Sequence, residues 1–399
     1  MRISQRMTQA VLGGSMVRRM FEEGVRLKTA HGQENVFDFS LGNPDLAPPA
    51  RFNEVVKTIL RDETTRIHGY MNNAGWADVR EKMAAYLNKT IGQGLAKPIG
   101  PDNVIMTVGA AGAMNTVLKA ILDPDSTVIA LAPYFMEYNY YVSNHGGQVV
   151  AAQTDSAFRP DIGSLVEKIN STTAAVIINS PNNPTGVIYT PEELAAIGAA
   201  LTENSKKIGH PILLISDEPY RKLAFHGGAV PSVFKAYPYS VVVNSFSKDL
   251  SLAGERIGYA AVNPDMPDAG ALIGAMVLAN RILGFVNAPS LMQKVAVELL
   301  EESVDLDIYR RRQDILVTEL ARLGYELVKP EGTFYLFPKS PIEDDLAFID
   351  ILREQLILAV PGTGFGRSGY FRLSLCLNEA MIKASIPGFA KAFAKAKSV

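Results

Sequence analysis

The sequence Ser245-Phe-Ser-Lys-Asp249, with Arg256-Ile-Gly258 shortly after it, follows the β-branched run Val241-Val-Val-Asn244. Such a run predicts a buried strand, so Lys248 lies where a buried strand leads into a loop. An ammonium group at that point is unfavourable unless it is paired or used in chemistry. The two serine hydroxyls and the guanidinium of Arg256 can bind an oxyanion beside the lysine. This segment alone leaves two interpretations open: a Schiff-base lysine beside a phosphate site, or an ordinary loop lysine near an arginine.

Length, composition and charge exclude several classes of protein. The chain has 399 residues and 47% hydrophobic content, which indicates one large domain and a second, smaller one. Its 39 Lys plus Arg against 41 Asp plus Glu give a formal charge of −2, so no bulk attraction for nucleic acid or an anionic membrane is expected. The single cysteine, Cys376, excludes an internal disulfide framework and predicts a reducing, cytoplasmic location.

Neither a metal site nor a membrane segment is indicated by the residue patterns. The five histidines lack the spacing of metal ligands. No long apolar segment follows the arginines near the N-terminus, so a secretory signal is not expected. The most apolar stretch, residues 271–286, is interrupted by Asn280 and Arg281 and is too short to cross a bilayer.

Apolar runs and helical patterns alternate in the middle of the chain. Seven runs predict strands, at residues 104–108, 127–131, 149–152, 174–178, 212–215, 241–243 and 257–262. Helical patterns separate most of them, which predicts an α/β fold with a mostly parallel seven-stranded sheet covered on both faces. We expect this large domain to span residues 49–288, with residues 289–399 as a smaller α+β domain and residues 1–48 as an N-terminal arm and part of the small domain.

The flanking regions give weaker patterns. Residues 36–41 alternate like a strand and end in the turn signature Gly42-Asn43-Pro44-Asp45. Helices are predicted at residues 51–61, 77–87, 113–122 and 269–282. Beyond Pro289 we expect helical segments through residue 323, strands at 325–328 and 333–337, a helix at 346–354, a strand at 370–375 and a closing helix from 378.

The segment Gly109-Ala-Ala-Gly112 follows a predicted strand and begins a helix. Backbone N–H groups at a helix N-terminus bind phosphate well. A dinucleotide site would also need a third spaced glycine and an acidic residue at the end of the next strand, where this chain has Leu131-Ala-Pro133. We therefore expect a single phosphate and no nicotinamide dinucleotide, and the alternative is a plain tight turn.

Two further segments follow predicted strands, at the edge where ligands bind in open α/β sheets. The two prolines of Ser180-Pro-Asn-Asn-Pro-Thr-Gly186 predict a rigid loop that presents the amide of Asn183, although a purely structural turn is the alternative. In Asp217-Glu-Pro-Tyr220 the aspartate needs a cationic partner, which a protonated pyridine nitrogen would supply. Tyr220 can donate a hydrogen bond to a phenolate oxygen. The alternative for Asp217 is a helix N-cap.

Arg372, in Tyr370-Phe-Arg-Leu-Ser374, lies within a predicted strand of the small domain. Buried arginines are rare without a carboxylate or phosphate partner, and the guanidinium binds carboxylates with two parallel hydrogen bonds. This residue alone leaves two possibilities open, a substrate carboxylate site or an internal salt bridge.

In this order and with these spacings, the motifs resemble those of the fold-type I, class I/II pyridoxal phosphate (PLP) aminotransferases. The resemblance extends from Gly42-Asn-Pro44 to Arg372. It implies that Lys248 carries the cofactor and moves the substrate proton, and that Asp217 pairs with the pyridinium nitrogen. The remaining implied cofactor contacts are Asn183 and Tyr220 at the phenolic oxygen, Phe135 stacked on the ring, Ser245, Ser247, Arg256 and the N–H groups of Ala110 and Ala111 at the phosphate, and Tyr70 reaching that phosphate from the partner subunit. Arg372 would bind the substrate α-carboxylate, with Asn183 and the Gly42 backbone.

The resemblance also implies a reaction and an assembly. An L-amino acid would donate its amino group to the cofactor and a 2-oxo acid would collect it in a ping-pong cycle, within a homodimer with shared active sites. Small-domain closure would exclude water. A PLP-dependent lyase that catalyses β-elimination on the same fold is the alternative, since it would use the same site residues.

One position departs from the family pattern. Several members have a lysine just after the first phosphate-binding glycines, where it can meet an acidic substrate side chain, and this chain has Ala111 there. That weakens an assignment of aspartate as substrate. Arg281 lies in a region where other members carry an arginine for distal carboxylates, and Arg18 and Tyr138 are less specific candidates.

Overall fold

The computed structural model describes residues 2–12, 16–62, 66–225 and 229–398. Its helices are α1 Gln5–Leu12, α2 Met16–His31, α3 Phe52–Arg61, α4 Ala77–Thr90, α5 Gly109–Ile121, α6 Glu137–Ser143, α7 Ile162–Lys168, α8 Pro191–Ile208, α9 Val233–Ala236, α10 Ala269–Ile282, α11 Ser290–Glu298, α12 Leu306–Leu323, α13 Asp345–Glu354 and α14 Glu379–Lys397. Its strands are β1 Phe37–Asp38, β2 Val104–Thr107, β3 Thr127–Ala132, β4 Gln148–Gln153, β5 Thr173–Asn179, β6 Leu213–Asp217, β7 Ser240–Ser245, β8 Gly258–Val262, β9 Tyr335–Leu336, β10 Ile357–Leu358, β11 Val360–Pro361 and β12 Phe371–Ser374.

The main sheet contains all seven strands predicted for it, in the order β2-β8-β7-β6-β5-β3-β4. Strands β4, β3, β5, β6 and β7 are parallel to their neighbours, whereas β8 is antiparallel to both β7 and β2. Six strands therefore run in one direction, and the carboxyl ends of β5, β6 and β7 meet at one edge of the sheet. The prediction of a mostly parallel seven-stranded sheet is confirmed.

Both faces of the sheet are covered, as the continuous apolar runs require. Successive side chains of β5 alternate between two hydrophobic clusters: Val176 and Ile178 pack into one, and Ala175 and Ile177 into the other. Helices α5 and α10 line the second cluster, and α4, α8 and α11 line the first. Short connections between buried strands and covering helices hold the strand ends in fixed positions around the site described below.

A third cluster forms a core of its own for the C-terminal part. It joins α12, α13 and α14 with strands β9 and β12 and includes Phe39 from the N-terminal part of the chain. Strands β11, β12 and β9 form a small antiparallel sheet, and β1 pairs with β10 in parallel. The boundaries at residues 48 and 288 stay a prediction, although this core agrees with a smaller unit to which the N-terminal part contributes.

Several predicted elements differ from the structure. The strand predicted at residues 325–328 is wrong, because this segment has no strand conformation in the structure, although Lys339 N donates a backbone hydrogen bond to Glu326 O. The strand predicted at 36–41 is reduced to Phe37–Asp38. The helix predicted from residue 113 begins at Gly109. The helical region predicted at 289–323 is split into α11 and α12.

Within the described ranges, none of the helices has the length and apolar character that crossing a membrane requires. In that same part of the chain, the His, Cys, Asp and Glu side chains form no cluster of three or more that could hold a metal ion.

Candidate functional site

A cavity of about 370 Å³ opens at the carboxyl ends of β5, β6 and β7, between the main sheet and the C-terminal core. All the predicted site residues except Tyr70 line it: Gly42, Ala110, Ala111, Phe135, Asn183, Asp217, Tyr220, Ser245, Ser247, Lys248, Arg256 and Arg372. These residues come from segments spread over most of the chain. The structure therefore brings these predicted residues together around one cavity.

Asp217 is the last residue of β6, and no helix follows it, so it is not a helix N-cap. Its Oδ2 accepts a hydrogen bond from Tyr138 Oη at 2.6 Å, whereas its Oδ1 is buried without any hydrogen-bond partner. Burial is the main cause that raises the pKa of this carboxyl from 3.8 to about 7, and the bond from Tyr138 opposes the rise. A buried carboxylate with one unsatisfied oxygen is a receptor for a cation or an N–H donor.

Lys248 lies three residues beyond the end of β7 and lines the same cavity. Its Nζ donates a hydrogen bond to Gly42 O at 2.8 Å, and no carboxylate of the described residues pairs with it. The pKa of this amine is lowered from 10.5 to about 8, mainly by burial; the nearby Cys376 opposes the shift, and the positive charges of Arg372 and Arg256 add to it. Roughly a tenth of the amine is therefore neutral, and nucleophilic, at pH 7, and this fraction rises with pH.

The N-terminus of α5 and the segment after β7 form a possible phosphate cradle. Helix α5 begins at Gly109 without a side-chain cap, so the N–H groups of Ala110 and Ala111 have no intrahelical acceptor. Gly109 has φ +69, and a Cβ there would lie 2.8 Å from Arg256 Nη2, so this close approach of backbone and guanidinium requires glycine. Ser245 and Ser247 bring two buried hydroxyls to the same side. The segment 109–112 is thus a helix start and not a plain turn.

The loop after β5 is held by its own asparagines. Thr185 donates to Asn182 Oδ1 through both its N and its Oγ1, and Asn183 N donates to Asn179 Oδ1 at 2.6 Å. Asn179 Nδ2 in turn donates to the backbone oxygen of Asp217 at 2.7 Å. This network ties the loop to the end of β6, so that Asn183 and Asp217 keep a fixed relative position.

Arg372 on β12 is 2% exposed, and the structure places it in the cavity without a carboxylate partner among the described residues. Its Nη1 donates to Asn183 Oδ1 at 3.1 Å and its Nη2 to Ser40 O at 2.7 Å, whereas its Nε has no partner. The alternative of an internal salt bridge is therefore wrong for the described part of the chain. A buried guanidinium held by neutral acceptors leaves its positive charge available for an anionic ligand.

Two aromatic side chains complete the walls next to Asp217 and Lys248. Phe135, which is half-buried, lies edge-on to Tyr138 with ring centroids 5.8 Å apart. Tyr220 Oη lies 3.3 Å from Tyr335 Oη. Burial is the main cause that raises the pKa of Tyr220 well above its usual value, so this phenol stays protonated and can donate a hydrogen bond. In the contact between the two hydroxyls either one can be the donor.

Two candidates lie outside the cavity of this single chain. Tyr70 is 94% exposed. Arg281, near the end of α10, is exposed and does not line the cavity. The side chain of Arg18 lies outside the described part of the structure.

Three residues of the site are not predicted from the sequence, or are predicted to have a different role. Tyr138, considered for distal carboxylates, is instead bonded to Asp217, from which it is 79 residues distant in sequence. Asn179 and Tyr335 were not singled out. Asn179, at the end of the strand before the asparagine loop, carried a positional signal, whereas Tyr335 carried none.

Comparisons with known proteins give a consistent result. The model of the family "Aminotransferase class I and II" matches residues 34–386. The chain is 32% identical over 361 residues to the aspartate/prephenate aminotransferase of Thermus thermophilus, covering 89% of this chain and 90% of that protein. It is 30% identical over 374 residues to the aspartate aminotransferase of Bacillus subtilis, covering 88% and 90%.

Solved structures agree with the sequence comparison. An amino transferase from Eubacterium rectale superimposes with a TM-score of 0.94 and 39% sequence identity, covering 99% of both chains. The aspartate aminotransferase of Thermus thermophilus with maleate superimposes with a TM-score of 0.85 and 29% identity, covering 98% of this chain and 100% of that one.

Proposed function

Because this chain belongs to the class I and II aminotransferases, we propose that Lys248 and Asp217 are the residues that bind and tune its cofactor. The protein is a pyridoxal phosphate-dependent aminotransferase, which transfers an amino group from an amino acid to a 2-oxo acid. One observation supports the proposed roles most strongly. A buried carboxylate, a buried amine with a lowered pKa and a buried guanidinium line one cavity, and no two of them pair with each other.

The residues present fit pyridoxal phosphate. The unsatisfied Oδ1 of Asp217 requires a positively charged donor, which the protonated ring nitrogen is. The free N–H groups of Ala110 and Ala111, the two serine hydroxyls and Arg256 match a phosphate dianion. The half-buried ring of Phe135 offers an aromatic face between these two ends.

When bound, the cofactor supplies an electron-accepting ring that stabilises negative charge at the substrate Cα. Asp217 would pair its negative charge with the ring nitrogen, and Tyr138 fixes the orientation of that carboxylate. Asn183 has its Oδ1 occupied by Arg372, which leaves its Nδ2 to donate to the phenolic oxygen. Tyr220 would donate to the same oxygen.

Lys248 is the proposed base. Its Nζ, with a pKa of about 8, would take the proton from the substrate Cα and would deliver it to C4′ of the cofactor. Burial maintains this lowered pKa, so the exclusion of water from the closed site serves the base as well as the reaction.

Arg372 is the proposed site for the substrate α-carboxylate. Amino acids and 2-oxo acids both carry this group, so one guanidinium serves both halves of a ping-pong cycle. The unpartnered Nε and the neutral acceptors on Nη1 and Nη2 leave the guanidinium charge uncompensated until substrate binds. The Gly42 backbone lies next to Lys248 and completes this end of the cavity. No observation favours β-elimination over transfer.

Replacing Lys248 by alanine tests the proposal. We expect the visible absorbance of the lysine-bound cofactor to disappear and amino transfer to fall by roughly 10²–10⁴-fold or more, since a base and a covalent attachment are both lost. Lys248→Arg is the matched control: it keeps the positive charge but cannot become a neutral base, so it should be equally inactive. Undiminished turnover in Lys248→Ala would contradict the assignment.

We further propose a homodimer in which Tyr70 reaches the phosphate of the partner subunit. The fully exposed Tyr70 lies on a segment that Asn280 and Asn287 fasten to α10 and the turn after it, through Asn73 O and Asn72 O. Leu278 and Ile282, two exposed apolar side chains, lie on the same helix. An exposed tyrosine on a fastened segment beside apolar surface is typical of an interface.

Subunit mixing tests this dimer. Tyr70→Ala and Lys248→Ala chains should each form defective homodimers, but a mixed dimer would contain one intact site. Co-refolding equal amounts should therefore restore about a quarter of the wild-type activity, because half of the dimers are mixed and each has one intact site of two. Activity no higher than the sum of the two variants would contradict a site shared between subunits.

The substrate side chain is the least constrained part of the proposal. The cations that line the cavity are Lys248, Arg256 and Arg372, and each has a proposed role, while Ala111 replaces the lysine found in several relatives. Among the described residues, no further cation lines the cavity to pair with a second substrate carboxylate. The cytoplasmic location also stays a proposal, supported by the single cysteine.

A further inference from the structure

Tyr335 lines the cavity and contacts three of the proposed site residues, Arg372, Tyr220 and Gly42. It lies on β9, and β9 pairs with β12 so that Tyr335 is opposite Ser374. Because side chains alternate across a strand, Arg372 and Ser374 share one face, and Tyr335 is the diagonal neighbour of Arg372 on that face. The pairing of two short strands therefore fixes the aromatic ring beside the guanidinium.

The guanidinium of Arg372 lies between two aromatic rings. Its Cζ is 4.4 Å from the centroid of Tyr335 and 4.9 Å from that of Phe365. Tyr335 is 3% exposed and Phe365 1%, so both contacts are made away from solvent, where cation–π attraction is strongest. With only two neutral acceptors and no counter-ion among the described residues, the orientation of Arg372 depends on these rings.

The hydroxyl of Tyr335 makes a second set of contacts. Tyr335 Oη lies 3.3 Å from Tyr220 Oη, and the two rings meet at 75° with centroids 5.7 Å apart. A Cβ at position 42 would overlap Tyr335 Oη, so the hydroxyl occupies the space that glycine leaves there. The same Gly42 accepts the hydrogen bond from Lys248. Tyr335 thus touches the proposed carboxylate site, the proposed ring-oxygen donor and the residue that holds the proposed base.

We propose that Tyr335 is a positioning residue with two separable functions: its ring orients Arg372 for the substrate carboxylate, and its hydroxyl donates to Tyr220 Oη. The second function leaves the proton of Tyr220 free to point at the cofactor's phenolic oxygen, and a hydroxyl that accepts one hydrogen bond donates a stronger one. This inference rests on the roles proposed above for Arg372 and Tyr220.

Two variants separate the functions. Tyr335→Phe keeps the ring and removes the hydroxyl, whereas Tyr335→Leu removes the aromatic face. In the cofactor-loaded dimer, Tyr335→Phe should move the pH midpoint of the visible absorbance upward by about half a unit, because a weaker donor at Tyr220 stabilises negative charge on the phenolic oxygen less. Its KM for the amino donor should change by no more than about twofold. Tyr335→Leu should raise both that KM and the dissociation constant of propionate, a non-reactive carboxylate, by about 5–30-fold.

Phe365→Leu is the matched control, because Phe365 contacts Arg372 but not Tyr220. It should weaken propionate binding without moving the absorbance midpoint. Arg372→Ala is the reference for the underlying role: if it leaves KM unchanged, the carboxylate site itself is misassigned. If Arg372→Ala raises KM while Tyr335→Leu does not, or if Tyr335→Phe leaves the midpoint in place, the proposal for Tyr335 is overturned. Should Tyr335→Leu not fold, the midpoint of Tyr335→Phe alone decides.

Discussion

Replacing Asp217 by asparagine should stabilise the cofactor-free protein while it weakens cofactor binding. Burial raises the pKa of Asp217 from 3.8 to about 7, and at 1.36 kcal/mol per unit the ionised carboxylate destabilises the cofactor-free fold by about 4 kcal/mol. The amide of asparagine carries no charge and avoids this destabilisation. Its NH₂ group would, however, occupy the position of Oδ1, which has no hydrogen-bond partner, and a buried unpaired NH₂ group destabilises the fold by about 1–3 kcal/mol. The net gain is about 1–3 kcal/mol, or about 1–4 °C in Tm for a chain of this length.

The pH dependence of this effect follows from the raised pKa. Below pH 3.8 the carboxyl of Asp217 is protonated in the folded and in the unfolded chain, so it does not destabilise either. Between pH 3.8 and about 7 the unfolded chain has lost the proton that the folded chain keeps, and the free energy of unfolding falls as pH rises. Above about pH 7 the destabilisation is complete. The stabilisation by Asp217→Asn should therefore be larger at pH 8 than at pH 5.

Scanning calorimetry of the cofactor-free and cofactor-loaded forms, at one protein concentration and scan rate, measures both sides of this prediction. The loaded variant should lose the stabilisation that the cofactor gives, with a cofactor dissociation constant about 10–100-fold higher for the lost charge-assisted bond. Asp249→Asn is the matched control, since Asp249 is equally buried but pairs with Lys222 at 3.3 Å and does not line the cavity. It should shift Tm equally in both forms. A cofactor-free Asp217→Asn protein that is less stable than wild type at pH 8 would refute the reasoning.

Two other substitutions give results that depend on the proposed site. Arg372→Ala should raise KM for the amino donor and for the 2-oxo acid by a factor equivalent to about 2–5 kcal/mol, because the substrate carboxylate would lose its buried partner. Steady-state kinetics of both half-reactions measure this change. An unchanged KM would mean that Arg372 is structural. Ala111→Lys should raise kcat/KM for aspartate relative to alanine by about 10–100-fold, since a charge-assisted bond to the second carboxylate would become available; an unaltered ratio in a panel of amino acids would place the side-chain site elsewhere.

The sequence predicts the site residues best at the carboxyl ends of buried strands. The seven strands of the main sheet are short runs of apolar, often β-branched residues, and three polar residues at or just beyond their ends, Asn183, Asp217 and Lys248, line one cavity. Parallel strands place their carboxyl ends at the same edge, so position along the chain translates directly into position in space. That is why a set of individually weak motifs predicted a single site.

The contacts between the site residues could not be read in the same way. Tyr138 and Asp217 are 79 residues apart, and Tyr220 and Tyr335 are 115 residues apart, so neither pair leaves a local pattern. Strands β10 and β11 have two residues each, too few for an alternation to be visible. The segment 325–328 is not a strand in the structure, because a strand also needs a hydrogen-bonded partner, which the sequence of the segment alone does not supply.

The charged side chains that line the cavity do not form ion pairs with one another, although both acidic and basic groups are present. Asp217 bonds to Tyr138, Lys248 to Gly42 O, and Arg372 to Asn183 and Ser40 O, so each charged group is held by a neutral one. A direct pair between Asp217 and Lys248 would favour both charged forms and return both pKa values towards their usual range, and the amine would then lose its neutral fraction. The neutral partners therefore do two things at once. They hold the three groups in place, and they leave Asp217 and Arg372 without a counter-charge until the ring nitrogen and the substrate carboxylate bind, so that binding relieves a destabilisation already present in the fold.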